Sequence, residues 1–214
     1  MNVLVVVAHP DDETLGMGGT IRKHADRGDE VAVCVGVTER TRETTTDHHH
    51  EFELACAVLG IPTTRVQNLG LSDQRFEETP VTEIVRSLEE QWFPYEPDLI
   101  YTHNPDDLNR DHRIVCEAVL VAFRPHVFKG TILAFETISS TEWGVEPFQA
   151  NWYEELVLAQ LGAKMDALDC YESELRATPH PRNATGINVL ARVRGHQCGV
   201  EYAEAFRLLR KGPR

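Results

Sequence analysis

The stretch Val3–Gly19, VLVVVAHPDDETLGMGG, decides the fold. Val3 to Val7 is a continuous apolar run of strand length with no polar alternation, as in a parallel strand covered on both faces. A turn rich in Asp and Gly follows, and a helical pattern runs from about Met17 to Asp26. Arg27-Gly28-Asp29 then ends that helix with glycine where a C-terminal cap is wanted. Working outward, Glu30–Val37 (EVAVCVGV) reads as a second strand and Asp47–Leu59 as a helix closed by Gly60 and Pro62. Arg65–Leu69 is a weaker third strand, Val81–Gln91 a helix, and Leu99–Thr102 a fourth strand. A helix from Asn109 or Arg110 to Arg124 leads to a fifth strand, Thr131–Glu136. Past Ser139 the rhythm changes, with a strand expected at Tyr153–Leu158 and helices at Gly162–Glu174 and Ala184–Gly195. Short strands separated by helices of ~10–15 residues indicate right-handed βαβ crossovers. The expected fold is a three-layer α/β/α sandwich around a mostly parallel, Rossmann-like sheet. No linker or repeat interrupts it, so residues 1–214 are expected to form a single domain.

Composition narrows the function. The 214 residues are 42% apolar and 26% charged, which suits a globular chain. No stretch approaches the ~20 apolar residues of a membrane helix, which excludes membrane insertion. The 21 basic and 34 acidic residues leave a net charge of −13, so nucleic acid is not an expected partner. The chain passes from Met1-Asn2 directly into an apolar run, without the basic segment and cleavage site of a secretory signal. Its five cysteines are odd in number and contain no C-x-x-C, which points to reduced thiols and a cytoplasmic location. Homo-oligomer formation is left open.

In an open parallel sheet, ligands bind beyond the carboxyl ends of the strands. The first strand is followed there by His9-Pro10-Asp11-Asp12-Glu13. An imidazole and three carboxylates are costly to bury together unless a cation neutralises them. His9 and one of the two aspartates can turn to a common point, a donor set that suits zinc. Capping of the next helix explains one aspartate but not His9. The fourth strand is followed by His103-Asn104-Pro105-Asp106-Asp107-Leu108-Asn109-Arg110-Asp111-His112, on the same sheet edge. His112, in the first turn of a helix, supplies a third ligand, and Asn109 is a good N-cap. The run His48-His49-His50 is expected to place one histidine outward and one or two toward the site. Neither a phosphate-binding loop nor a serine-nucleophile elbow is present.

These residues carry a resemblance. The opening motif together with Asp111-His112-Arg113 resembles the PIG-L/LmbE-like family of zinc-dependent de-N-acetylases. Leu69-Gly70-Leu71-Ser72-Asp73 and His180-Pro181-Arg182 extend it over most of the chain. The resemblance implies that His9, Asp12 and His112 hold Zn2+, although another divalent ion such as Fe2+ suits the same donors. It makes Asp11 the general base and Asp73 a ligand of sugar hydroxyls. Family members carry a second histidine three residues before the ligand histidine, and this chain has Asn109 there. Asn109 can donate a hydrogen bond to an oxyanion but transfers no proton, and His180, between two prolines, is the first choice for the acid, ahead of His103. Arg40, His48 and Arg182 are expected to grip the small-molecule substrate, an N-acetylated amino sugar. Asp111 is expected to orient His112 or a neighbouring group. The alternative activity is that of a metal-dependent amidase acting on a non-sugar amide.

Overall fold

A computed structural model describes residues 1–37 and 48–213. Its centre is a seven-stranded sheet in the order β3-β2-β1-β4-β5-β7-β6. The strands are β1 (Asn2–Val7), β2 (Glu30–Val35), β3 (Val66–Asn68), β4 (Leu99–His103), β5 (Thr131–Phe135), β6 (Trp152–Glu155) and β7 (Ala203–Lys211). The first five run parallel, and β7 pairs antiparallel with both β5 and β6. Among the described residues six α-helices accompany them: α1 (Asp12–Asp26), α2 (His48–Leu59), α3 (Val81–Trp92), α4 (Arg110–Ala122), α5 (Leu158–Asp169) and α6 (Ala184–Cys198).

The continuous apolar run of β1 is explained by its two covered faces. Val3, Val5 and Val7 pack among Met17, Ile21 and Phe52 from α1 and α2, while Leu4 and Val6 pack among Ile84, Leu88 and Val115 from α3 and α4. Side chains alternate across a strand, so a strand between two helical layers has no polar position to offer. Strand order reverses between β1 and β4. Their carboxyl ends therefore open a crevice at the point where α/β sheets bind ligands.

Three expectations need correction. The first helix begins at Asp12, five residues before the apolar periodicity, because its opening turn buries Asp12, Glu13 and Thr14 instead of apolar groups. The chain also breaks helical geometry at Met17 (φ −149°). Around this kink Gly16, Gly18 and Gly19 admit close neighbours: a Cβ on Gly16 would lie 2.3 Å from the Phe135 ring. Second, β6 spans Trp152–Glu155 and α5 starts at Leu158, so the expected strand at 153–158 and helix at 162–174 both begin too late. Third, β7 was not expected. Its pattern is masked because Glu204 is buried among Ala203, Ala205 and Phe206.

Candidate metal centre

Asp11 and Asp12 leave the end of β1 in different directions. Asp11 is the N-cap of α1 and adopts a left-handed conformation, φ 97°. Aspartate tolerates this region better than most residues, and here it sends two adjacent carboxylates to different places. The Asp12 oxygen Oδ2 accepts the His9 backbone N–H at 2.9 Å and lies 3.3 Å from His9 Nδ1 and 3.3 Å from His112 Nε2. His9, Asp12 and His112 are all buried, and their ligating atoms fall within 4.8 Å of one another.

Each imidazole has a carboxylate behind it. His9 Nε2 lies 3.1 Å from Asp111 Oδ2, and His112 Nδ1 lies 3.1 Å from Asp107 Oδ1. With protons on those outer nitrogens, the lone pairs of His9 Nδ1 and His112 Nε2 face Asp12. Lone pairs turned toward a carboxylate repel it unless a cation lies between them, and the carboxylate–histidine arrangement is typical of ligating imidazoles. The residues present therefore fit a divalent metal. Asp107 is held in turn by the hydroxyls of Ser140 (2.5 Å) and Thr141.

Asp111 orients His9, not its chain neighbour His112, because successive helical side chains point ~100° apart. Its other oxygen accepts the Phe76 backbone N–H at 3.2 Å. His103 is stacked on His112 with ring centroids 3.9 Å apart, and its Nε2 accepts the Ala8 backbone N–H at 2.9 Å. Burial and the nearby His112 push its pKa down to about 3, so it is neutral at physiological pH. His103 thus buttresses the loop and is not a neutral-pH acid.

Burial disfavours a charged His112, but the Asp12 and Asp107 carboxylates outweigh it and raise the pKa to about 10. Burial likewise opposes the Asp12 charge, yet His112 and His103 keep its pKa well below the usual range. A metal must then displace the His112 proton. Burial also opposes a charge on His9, yet Asp111 and Asp12 raise its pKa, so metal uptake at neutral pH is expected to release at least one proton and affinity to rise with pH. Titration calorimetry in buffers of different ionisation enthalpy measures this. Affinity independent of pH between 6 and 9 would contradict the assignment of His112.

The remaining expected residues fall in several places. Asp73 is buried with Oδ1 3.5 Å from His9 Nε2. It lines a polar cleft of about 310 Å³ together with Gln74, Trp143, Arg176, His180 and Arg182. Arg182, expected to meet substrate, is 3.0 Å from Asp11 Oδ2 and 2.6 Å from Glu174, and also donates to Ser139. His180 Nδ1 accepts the Arg182 backbone N–H at 3.2 Å, which places the proton of the neutral ring on Nε2. Asn109 caps α4 by accepting the Asp111 backbone N–H at 2.9 Å. His48 is buried and 3.1 Å from Glu51, whereas His49 and His50 are exposed. Arg40 lies outside the described residues.

Glu13, Asp107 and Tyr171 were missed. Glu13 accepts the Asp11 backbone N–H (3.2 Å) and the hydroxyls of Thr14 (2.6 Å) and Tyr171 (2.7 Å). Burial pushes its pKa up to about 7. The Asp106-Asp107 doublet in a loop of histidines was a usable signal for Asp107. Nothing local marks Tyr171, which arrives from the end of α5.

Residues 4–123 match the family model described as PIG-L, GlcNAc-PI de-N-acetylase. The uncharacterized deacetylase YaiS of Escherichia coli is 27% identical over 141 residues, 64% of this chain and 75% of its own. The probable N-acetyl-alpha-D-glucosaminyl L-malate deacetylase 2 of Bacillus cereus is 31% identical over 134 residues, 56% of this chain and 60% of its own. In three dimensions, N,N'-diacetylchitobiose deacetylase from Pyrococcus horikoshii shares the fold. Its TM-score is 0.77 at 21% identity, covering 97% of this chain and 83% of that one.

Proposed function

The chain belongs to the PIG-L, GlcNAc-PI de-N-acetylase, family, and from that premise we propose that it hydrolyses the acetamide of an N-acetylated amino sugar to acetate and a free amine. One observation carries the reading. Of the two adjacent aspartates, Asp12 joins His9 and His112 in a buried donor set, while Asp11 pairs with Arg182, which lines a polar cleft. Zinc or another divalent ion held by those three residues supplies a Lewis acid that acidifies water and polarises a carbonyl.

The chain's own groups do the rest. Asp11, held by the Arg182 guanidinium at 3.0 Å, takes a proton from the water that adds to the acetyl carbon. Asp73 accepts hydrogen bonds from sugar hydroxyls in the cleft. Asn109 spends its side-chain oxygen on the helix cap and keeps its amide N–H pair for the acyl oxygen, whose charge grows as water adds. As the C–N bond breaks, the amine needs a proton. His103 is neutral and its Nε2 is already an acceptor, so the amine takes its proton from Asp11, which returns the one it took, or from a doubly protonated His180 whose Nδ1 no longer accepts the Arg182 N–H.

The test is acetate release from a panel of N-acetylated amino sugars and simple non-sugar amides, before and after a chelator and with Zn2+ or Fe2+ restored. Acetate is expected from N-acetylglucosaminides, lost on chelation and recovered with metal. Release confined to the non-sugar amides would overturn the sugar reading, and release indifferent to chelation would overturn the metal.

A further inference from the structure

Beside the polar cleft lies a second depression of about 360 Å³ with a different lining. Ile138, Pro179, Pro181, Val189 and Val193 give its lining an apolar side, and His180 belongs to both depressions. Val189 and Val193 sit four residues apart on α6, hence on one face, and are 56% and 46% exposed. The opposite face of α6 buries Ile187 and Ala191 in the core. The helix therefore carries an apolar strip that the fold does not cover, at the lip of the candidate active site.

The groove is preformed. Asn183 donates to the His180 carbonyl and accepts the Gly186 N–H at 3.0 Å, while Arg176 N–H is bonded to the Arg182 carbonyl at 3.0 Å. Gly186 lies so close to Pro181 that any Cβ there would collide with its backbone, so the loop and the helix form one wall. Its two acids are already engaged. Glu136 pairs with Arg194, and Glu142 accepts the Ser139 and Ser140 backbone N–H groups. With these carboxylates in the lining and a chain charge of −13, an anionic occupant is disfavoured.

We propose that this groove holds the aglycone of the amino sugar, and that the chain prefers substrates whose aglycone is uncharged and apolar over those bearing a polyol or a carboxylate. The proposal rests on the deacetylase reading for its substrate, and on continuity through His180 for its location. A sugar seated in the polar cleft directs its aglycone past the His180 ring onto Pro181 and the Val189–Val193 strip.

The decisive measurement uses β-glucosaminides with methyl, butyl, hexyl and octyl aglycones, which carry no acetyl group and do not turn over. Their Kd for the metal-loaded protein, read by calorimetry below micelle concentrations, is expected to fall about two- to fourfold per methylene until the groove is full. In V189E/V193E, whose exposed positions leave thermal unfolding unchanged, the octyl-to-methyl ratio is expected to collapse toward one. A chain-length-independent Kd in the unaltered protein, or undiminished dependence in the variant, would overturn the proposal. So would tighter binding of an inositol or malate glycoside than of the octyl one. A dimer that V189E/V193E dissolves, with a flat alkyl series, would assign the strip to a second copy and overturn it equally. The N-acetylated series separates the two readings: a steep Kd series that the variant flattens, without acetate release, keeps the groove and overturns the hydrolysis.

Discussion

Asp11→Asn is expected to leave metal content at the unaltered level and to lower kcat by about 10²- to 10⁴-fold, the range for removal of a general base. The substitution suits the test because it changes only proton affinity. Asparagine is nearly isosteric and adopts the left-handed region at least as readily as aspartate, so the φ of 97° at this position adds no strain. Its side-chain oxygen can still accept from Arg182, and Glu174 keeps that guanidinium neutralised. KM is expected to change little, because the proposed mechanism gives Asp11 the water and leaves the sugar to Asp73. Metal analysis and acetate-release kinetics on one preparation decide the matter. Loss of metal together with activity would make Asp11 a ligand, and full activity would place the base elsewhere.

Lys164→Met is expected to cost about 3–5 kcal/mol, the usual penalty for leaving one member of a buried ion pair alone. Lys164 on α5 and Glu204 on β7 are both about 5% exposed, with Nζ 2.6 Å from Oε1. Glu204 also accepts the backbone N–H groups of Gly19 (3.1 Å) and Thr20 (2.6 Å). These amides lie two and three residues past the break at Met17. Glu204 thus caps the second half of α1 from across the fold, and Lys164 neutralises it. At ~2–4 °C per kcal/mol for a chain of this size, Tm is expected to fall by roughly 10 °C. The double variant Lys164→Met, Glu204→Gln should recover part of that loss, since no buried charge is then left alone. A Tm within 2 °C of the unaltered protein would show that the pair is worth little.

Much of this was legible in the chain. The run Val3–Val7 announces a strand covered on both sides, and its repetition at 30–37, 99–102 and 131–136 specifies a parallel sheet. Loops after parallel strands share one edge, so His9, His112 and one of the two aspartates could be placed together from the chain alone. Those signals are local, carried by residues whose chemistry is unusual for their position. Other features depend on groups distant in sequence. Asp12 and Asp11 are neighbours of identical chemistry, and only the left-handed turn at Asp11 assigns one to the donor set and the other to Arg182. The helical register that turns Asp111 toward His9 and away from His112 is a fact of three dimensions. Lys164 and Glu204 lie forty residues apart, and only the placing of β7 beside α1 and α5 buries them as a pair. A sequence determines a side chain's kind and its place along one element, which sufficed here for the five parallel strands and for the sheet edge that carries His9 and His112. What a side chain faces depends on where the other elements lie, and that was settled only when the tertiary structure buried its charges and paired them.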